Sequence, residues 1–142
     1  MSEYGLFLED LSPGMSAVFG KTITDADILM FAGVSGDTNP VHLNEEFAMG
    51  TAFKGRIAHG MLTASLISTV IGTKLPGPGC IYVSQTLKFR APVRAGDTVI
   101  ATATVEEIDL ERSRIKMSTV CNVDAKPVLD GEAMIMVPRR PD

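Results

Sequence analysis

The chain has 142 residues but only two histidines and two cysteines, so few side chains are available for metal or nucleophilic chemistry. Cys80 and Cys121 both fall inside alternating apolar runs, and no Cys/His cluster has the spacing of a zinc site. They read as reduced core thiols. No Gly-rich loop of the phosphate-cradling kind occurs and no dinucleotide fingerprint, so neither a metal nor an organic cofactor is expected. Basic charge is also short. Lys and Arg number 13 against 17 acids, a net charge of -4, which argues against a broad nucleic-acid-binding surface. Met1 to Met15 carries acids and no basic region ahead of an apolar stretch, so no secretory signal is expected and the cytoplasm is the expected compartment. The uncharged run from Met61 to Ile71 falls well short of the roughly 20 residues that span a bilayer, so no membrane partner is expected either.

Apolar residues make up 45% and charged residues 21%, the proportions of a globular protein, and the length suits one domain over residues 1–142. Leu11-Ser12-Pro13-Gly14 is a turn, and Met15 to Ile23 predicts a short strand. Thr24 and Asp27 form a capping box for a helix whose Ile28, Phe31 and Ala32 share a face, ending near Ser35-Gly36. Residues 36–42 read as loop, since Pro40 pushes Asn39 out of the helical region. Asn44 to Ala48 predicts a short capped helix, and Lys54-Gly55-Arg56 a polar connection. Met61 to Ile71 then has no charge, Pro or Gly, which predicts a helix apolar nearly all round and therefore buried. After Pro76-Gly77-Pro78-Gly79 the pattern changes to period two. Ile81, Val83, Leu87 and Phe89 share a face with Gln85, a polar residue expected to satisfy a buried group. Val99, Ala101, Ala103 and Val105 form the next face, Ile115 to Val123 a third, and Leu129 to Val137 a fourth. The charged end, residues 138–142, is expected to be a disordered tail. One long central helix wrapped by an antiparallel sheet is an α+β arrangement of the hot-dog type.

Asp37 and His42 lie five residues apart across a Pro-stiffened loop at a helix end. Such a loop can bring a carboxylate and an imidazole to one point, as general acid/base chemistry requires. The same string also serves as a plain turn, because Gly, Asp and Asn are turn formers. Gly60 stands in the first turn of the central helix, where its N–H lacks an intrahelical acceptor and the helix dipole favours negative charge. It also permits close packing there.

The full string Phe31-x-x-Val34-Ser35-Gly36-Asp37-x-Asn39-Pro40-Val41-His42, followed by Ala48, resembles the signature of the MaoC-like, R-specific enoyl-CoA hydratases, the hydratase 2 group. It is similar in particular to the short members that feed polyhydroxyalkanoate synthesis. Ile57 to Leu62, Leu75-Pro76-Gly77, Ile81-Tyr82 and Gly96 to Val99 extend the likeness over nearly the whole chain. The resemblance implies that Asp37 and His42 hold one water and add it across a trans-2-enoyl-CoA to give a (3R)-3-hydroxyacyl-CoA. It implies an acyl-CoA thioester as the partner molecule and Gly60 N–H as donor to the thioester carbonyl. It also implies a homodimer with the acyl site near the interface. By the same likeness Ser68 stands near the catalytic water, although a helix Ser more often bonds to its own backbone. Asn39 orients the water or substrate, or simply holds the turn, and His59 caps the helix or shapes the site. The rival readings are a dehydratase on another acyl thioester, carried by acyl-carrier protein or a branched or dicarboxylic CoA, a hot-dog thioesterase, and a non-catalytic acyl-CoA binder.

Overall fold

A computed structural model describes residues 3–142. Met1 and Ser2, part of the expected domain and of the acidic N-terminal stretch, lie outside the described residues. The chain begins with a short 3-10 turn at Leu8–Asp10 and strand β1 (Ser16–Thr22). Helix α1 (Asp25–Ser35) starts at the expected capping box. The Thr24 side chain accepts from Asp27 N–H, the Asp27 carboxylate accepts from Thr24 N–H, and Gly36 leaves at φ 79°. Three further helices follow, α2 (Pro40–Leu43), α3 (Glu45–Met49) and α4 (Gly60–Thr73). Strands β2 (Ile81–Gln85), β3 (Lys88–Phe89), β4 (Thr98–Asp109), β5 (Arg114–Val123) and β6 (Lys126–Met136) complete the chain.

All strand pairs are antiparallel, in the order β1-β4-β5-β6-β2, with β3 also on β6. The period-two residues of β4, β5 and β6 turn one face inward: Val99, Ala101, Ala103, Val105, Ile115, Met117, Cys121, Leu129, Ala133 and Ile135 are buried. Against that face lies α4, burying Leu62, Leu66, Ile67, Val70 and Ile71. Each such side chain contributes about 1.5–3 kcal/mol of burial, so a helix of modest intrinsic propensity is held firmly by the sheet around it. The small Ala101 and Ala103 leave room for a helix on the sheet. This is the hot-dog fold, an antiparallel sheet wrapped around one long helix.

Three local expectations change. Residues 40–43 are helical rather than loop: Asn39 caps α2 by accepting from Val41 N–H, and Pro40 sits at the first helical position, where its missing N–H costs nothing. The run 81–90 is two strands, not one. A register shift between Tyr82 and Ser84 interrupts it, and Ile81 (58% exposed) and Phe89 (54%), expected on a covered face, stand open. Gln85 does satisfy a buried group, donating to Thr119 Oγ1 at 2.9 Å. Finally, the end of the chain is tied down. Pro138 C=O accepts from Leu8 N–H (2.9 Å), Arg139 donates to Ser113 Oγ (2.9 Å), and Arg140 N–H donates to Glu9 (2.8 Å) while its guanidinium pairs with Asp10. The acids of the N-terminal turn thus neutralise the basic tail, a pairing across the whole length of sequence.

Candidate active site

The site grows from the crossing of α1, α2 and the N-terminus of α4. Gly36 reverses the chain at the end of α1 and delivers Asp37 into an exposed loop. Local bonds shape that loop: Ser35 Oγ accepts from Asp37 N–H (3.1 Å), and the Asp37 carboxylate accepts from Asn39 N–H (3.3 Å). Asn39 spends its own side-chain oxygen on capping α2, so it holds the turn. The helical turn of α2 then aims His42 inward, where it is 7% exposed. The segment before α4 runs alongside. Ile57 N–H donates to Val41 C=O at 3.2 Å, Ala58 N–H to Val93 C=O at 2.6 Å, and Arg56 pairs with Asp25 of α1 at 2.6 Å.

His42 Nδ1 lies 2.8 Å from the Ile57 carbonyl. A carbonyl only accepts, so Nδ1 carries the proton and Nε2 is the free nitrogen. His59, the residue before α4, stacks on His42 with ring centroids 3.8 Å apart and an interplanar angle of 29°. Its Nε2 is 2.9 Å from the Asp37 carbonyl oxygen. Asp37, His42 and His59 each place one carboxylate oxygen or ring nitrogen within 4.8 Å of the others. The donor set is of metal-binding type, but one nitrogen of each ring is already engaged, His42 Nδ1 by the Ile57 carbonyl and His59 Nε2 by the Asp37 carbonyl.

Beside this cluster a cleft of about 450 Å³ opens, walled by Phe53, Ile57, Met61, Phe89, Pro92 and Leu129. Its volume falls within the roughly 300–1,000 Å³ of small-molecule sites. Asp37, His59, Gly60 and Thr63 supply polar groups on the cleft wall, and His42 abuts that wall through the ring of His59. Gly60 is the first residue of α4, so its N–H is one of the helix's unsatisfied donors and carries the positive end of the dipole. Phe89 covers it closely: a Cβ at Gly60 would meet the ring at 2.5 and 2.8 Å.

Of the residues singled out by sequence, the structure brings Asp37, Asn39, His42 and Gly60 to this place. Ser68 is not brought here. It lies two turns further along α4, exposed and outside the cleft wall. His59 is more deeply involved than a capping role implies, since as N-cap residue it makes no side-chain cap hydrogen bond and points instead to Asp37 and His42. Thr63 escaped sequence reading, and a hydroxyl three residues after Gly60 was the available signal. The thiols offer no nucleophile. Burial pushes Cys121 up to about 12 and raises Cys80 as well, so neither is a thiolate at neutral pH. Among the described residues no helix is long and apolar enough to cross a membrane.

A hot-dog fold with a carboxylate, an imidazole and an open helix N-terminus beside an apolar cleft has the groups for acid/base chemistry on a bound small molecule. The comparisons with known proteins agree. Residues 11–126 match the MaoC like domain, and the chain belongs to that family. It is 56% identical over 134 residues to the (R)-specific enoyl-CoA hydratase of Rhodospirillum rubrum, covering 94% of this chain and 93% of that protein. It is 50% identical over 135 residues to the 3-hydroxybutyryl-CoA dehydratase of Methylorubrum extorquens, covering 95% and 86%. Among solved structures, the R-hydratase PhaJ1 from Pseudomonas aeruginosa superposes with a TM-score of 0.89 at 46% identity, over 96% of this chain and 88% of that one.

Proposed function

We propose that this protein hydrates trans-2-enoyl-CoA thioesters reversibly to (3R)-3-hydroxyacyl-CoA. The observation that carries the mechanism is the approach of the Asp37 carboxylate and a His42 ring nitrogen to within 4.8 Å. One water accepting a place at about 2.8 Å from each fits that span. With Nδ1 bound to the Ile57 carbonyl, His42 offers Nε2 to the water. The Asp37–His42 pair takes one proton from the water as its oxygen bonds to the β carbon, and returns one proton to the α carbon. Negative charge gathers meanwhile on the thioester oxygen, and Gly60 N–H at the head of α4 is the donor for it. The apolar cleft beside it receives the acyl chain.

The working unit in this reading is a homodimer in the cytoplasm, where free thiols stay reduced. The open edge of β2, with Ile81 58% and Val83 42% exposed, supports it, because proteins cover such apolar strand edges.

The test is kcat/KM on crotonyl-CoA for Asp37→Asn, His42→Ala and the double variant, with thermal unfolding as the control for folding. Each single should lose about 10²–10⁴-fold. Because one water needs both groups, the double should be little worse than the worse single. A plain turn tolerates Asn at position 37 equally well, so Asp37→Asn retaining more than about a tenth of the rate would sink the mechanism. Stereochemistry is read separately: an S-specific 3-hydroxyacyl-CoA dehydrogenase coupled to the product should yield almost no NADH, and rapid NADH formation would overturn the R assignment.

A further inference from the structure

We infer that His59 is the positioning residue of this site: a ring that carries a proton on Nε2, fixes Asp37 through its backbone carbonyl and supports the His42 ring from below. The inference rests on the reading of Asp37 and His42 as the proton-transfer pair. His59 is 1% exposed and touches every segment that carries the site. Phe31 of α1 packs on its ring at 4.8 Å and 55°, His42 of α2 stacks on it at 3.8 Å, and the Asp37 carbonyl lies 2.9 Å from Nε2. His59 itself leads directly into α4.

The partner at Nε2 assigns the tautomer, because a carbonyl accepts and never donates, so Nε2 holds the proton and Nδ1 the lone pair. Nδ1 is buried and without a hydrogen-bond partner. Among the described residues, Thr63 Oγ1, one turn further along, is also buried without a partner, and no hydrogen bond joins it to Nδ1. His59 therefore lines the cleft, but Nε2 is spent on the Asp37 carbonyl and Nδ1 is buried, so neither nitrogen is presented to a substrate. Its service is geometric. Asp37 stands in an exposed loop whose other bonds, its own N–H to Ser35 at the end of α1 and Asn39 N–H to its carboxylate, reach only two residues along the chain. The hydrogen bond from His59 joins the loop to the buried core. Displacing a reacting group by about 1 Å costs on the order of 10²-fold in rate, which is the scale of what this bond protects.

His59→Gln keeps an amide N–H at nearly the reach of Nε2, whereas His59→Phe keeps a flat ring and loses the donor. His59→Phe should lower kcat on crotonyl-CoA by about 10–100-fold with KM little changed, and His59→Gln should recover most of that loss. A merely structural role predicts the reverse ranking, since Phe preserves the packing better. Nitrogen NMR of the wild-type protein reads the tautomer directly and does not depend on any variant folding. A proton found on Nδ1 of His59 would overturn the inference, as would folded His59→Phe with normal kcat, or Gln no better than Phe. Asp37→Asn serves as the reference. If it stays active, the catalytic reading fails; if it is dead while His59→Phe is normal, only the positioning inference fails.

Discussion

Replacing Gly60 by Ala adds one methyl group at the most crowded point of the cleft. Gly60 is not among the residues of positive φ, so its backbone admits a side chain. The new Cβ would stand 2.5 Å from Phe89 Cε1 and 2.8 Å from Cδ1, where carbon atoms prefer about 3.5–4.0 Å. The ring must therefore move outward by about 1 Å or more. It is free to do so, because Phe89 is 54% exposed and the three atoms nearest the new methyl all belong to its ring. Replacing Gly by Ala in a helix gains up to about 1 kcal/mol, and less at a terminal position, so net stability should change by no more than about 1 kcal/mol. Rate should respond quite differently. The methyl stands beside the N–H that a thioester oxygen must reach, and losing one such donor typically costs about 10²–10³-fold. Disappearance of the enoyl absorbance of crotonyl-CoA measures the rate, and urea unfolding the stability. A double variant with Phe89→Ala separates the two causes. If displaced Phe89 is the whole problem, removing the ring restores activity; if the donor is blocked, the double stays slow. Folded Gly60→Ala protein with normal turnover would refute the oxyanion role altogether.

Three other outcomes follow from the same structure. Ile71→Ala, at a side chain fully buried between α4 and the sheet, should cost about 2–5 kcal/mol in urea unfolding at fixed protein concentration, and a loss under about 1 kcal/mol would contradict its place in the core. The docked tail should release in acid. Hydrogen bonds from Arg140 N–H to Glu9 and from Phe7 N–H to Asp10, with the Arg140 guanidinium adding to both, hold these carboxyls below their ordinary 4.5 and 3.8. Their folded pKa values lie below the unfolded ones, so the stabilisation is complete above about pH 4.5 and drains as pH falls through the lowered values. Amide exchange at Arg140 should rise in that acid window beyond its intrinsic pH trend, and protection unchanged well below it would count against the pairing. Ile81→Lys at the β2 edge should weaken dimerisation by at least about tenfold, or 1.4 kcal/mol, in sedimentation equilibrium. Wild-type protein that stays monomeric at micromolar concentration would remove the dimer itself.

Most of the fold was legible because its signals are local or periodic. Thr24 and Asp27 sit three apart and close their own capping box, and Gly36 ends the same helix by a conformation only its own backbone decides. The strands β4 to β6 alternate strictly enough that one face is buried whatever their order. Where the outcome depends on distant partners the reading slips. Alternation at Ile81, Val83 and Phe89 predicted a covered face, yet a bulge at Val83 and the edge position of β2 leave Ile81 and Val83 open, and Phe89 stands open in the separate two-residue strand β3. Apolar alternation marks a face that is to be covered without naming the cover, and an intermolecular contact uses the same pattern as a core. Likewise the tail looked loose because its charges find their partners at Glu9 and Asp10, at the opposite end of the chain. Helix α2 was missed for another reason. Asn39-Pro40 is a cap followed by a first-turn proline, and the rule that Pro restricts the preceding residue hid the rule that Pro suits the first helical turn.

The site divides along the same line. Asp37 and His42 are close in sequence, so one stiff loop and one helical turn bring them together, and Gly60 announces itself by heading the apolar helix. His59 has a role with no local trace, for its acceptor is a backbone carbonyl 22 residues earlier in the chain, which looks the same at every position. A side chain that acts through another residue's main chain leaves a signature only in three dimensions. Ser68 shows the converse. Its place in a matching string suggested the site, but a helix turns about 100° per residue and carries it two turns away, to a face that this chain leaves exposed. The resemblance to hot-dog dimers with the acyl site near the interface makes the open edge of β2 the place where a second copy would pair in the proposed dimer. Disrupting that edge with Ile81→Lys should accordingly lower turnover along with association, and a fully active monomer would show that a single chain holds the complete site.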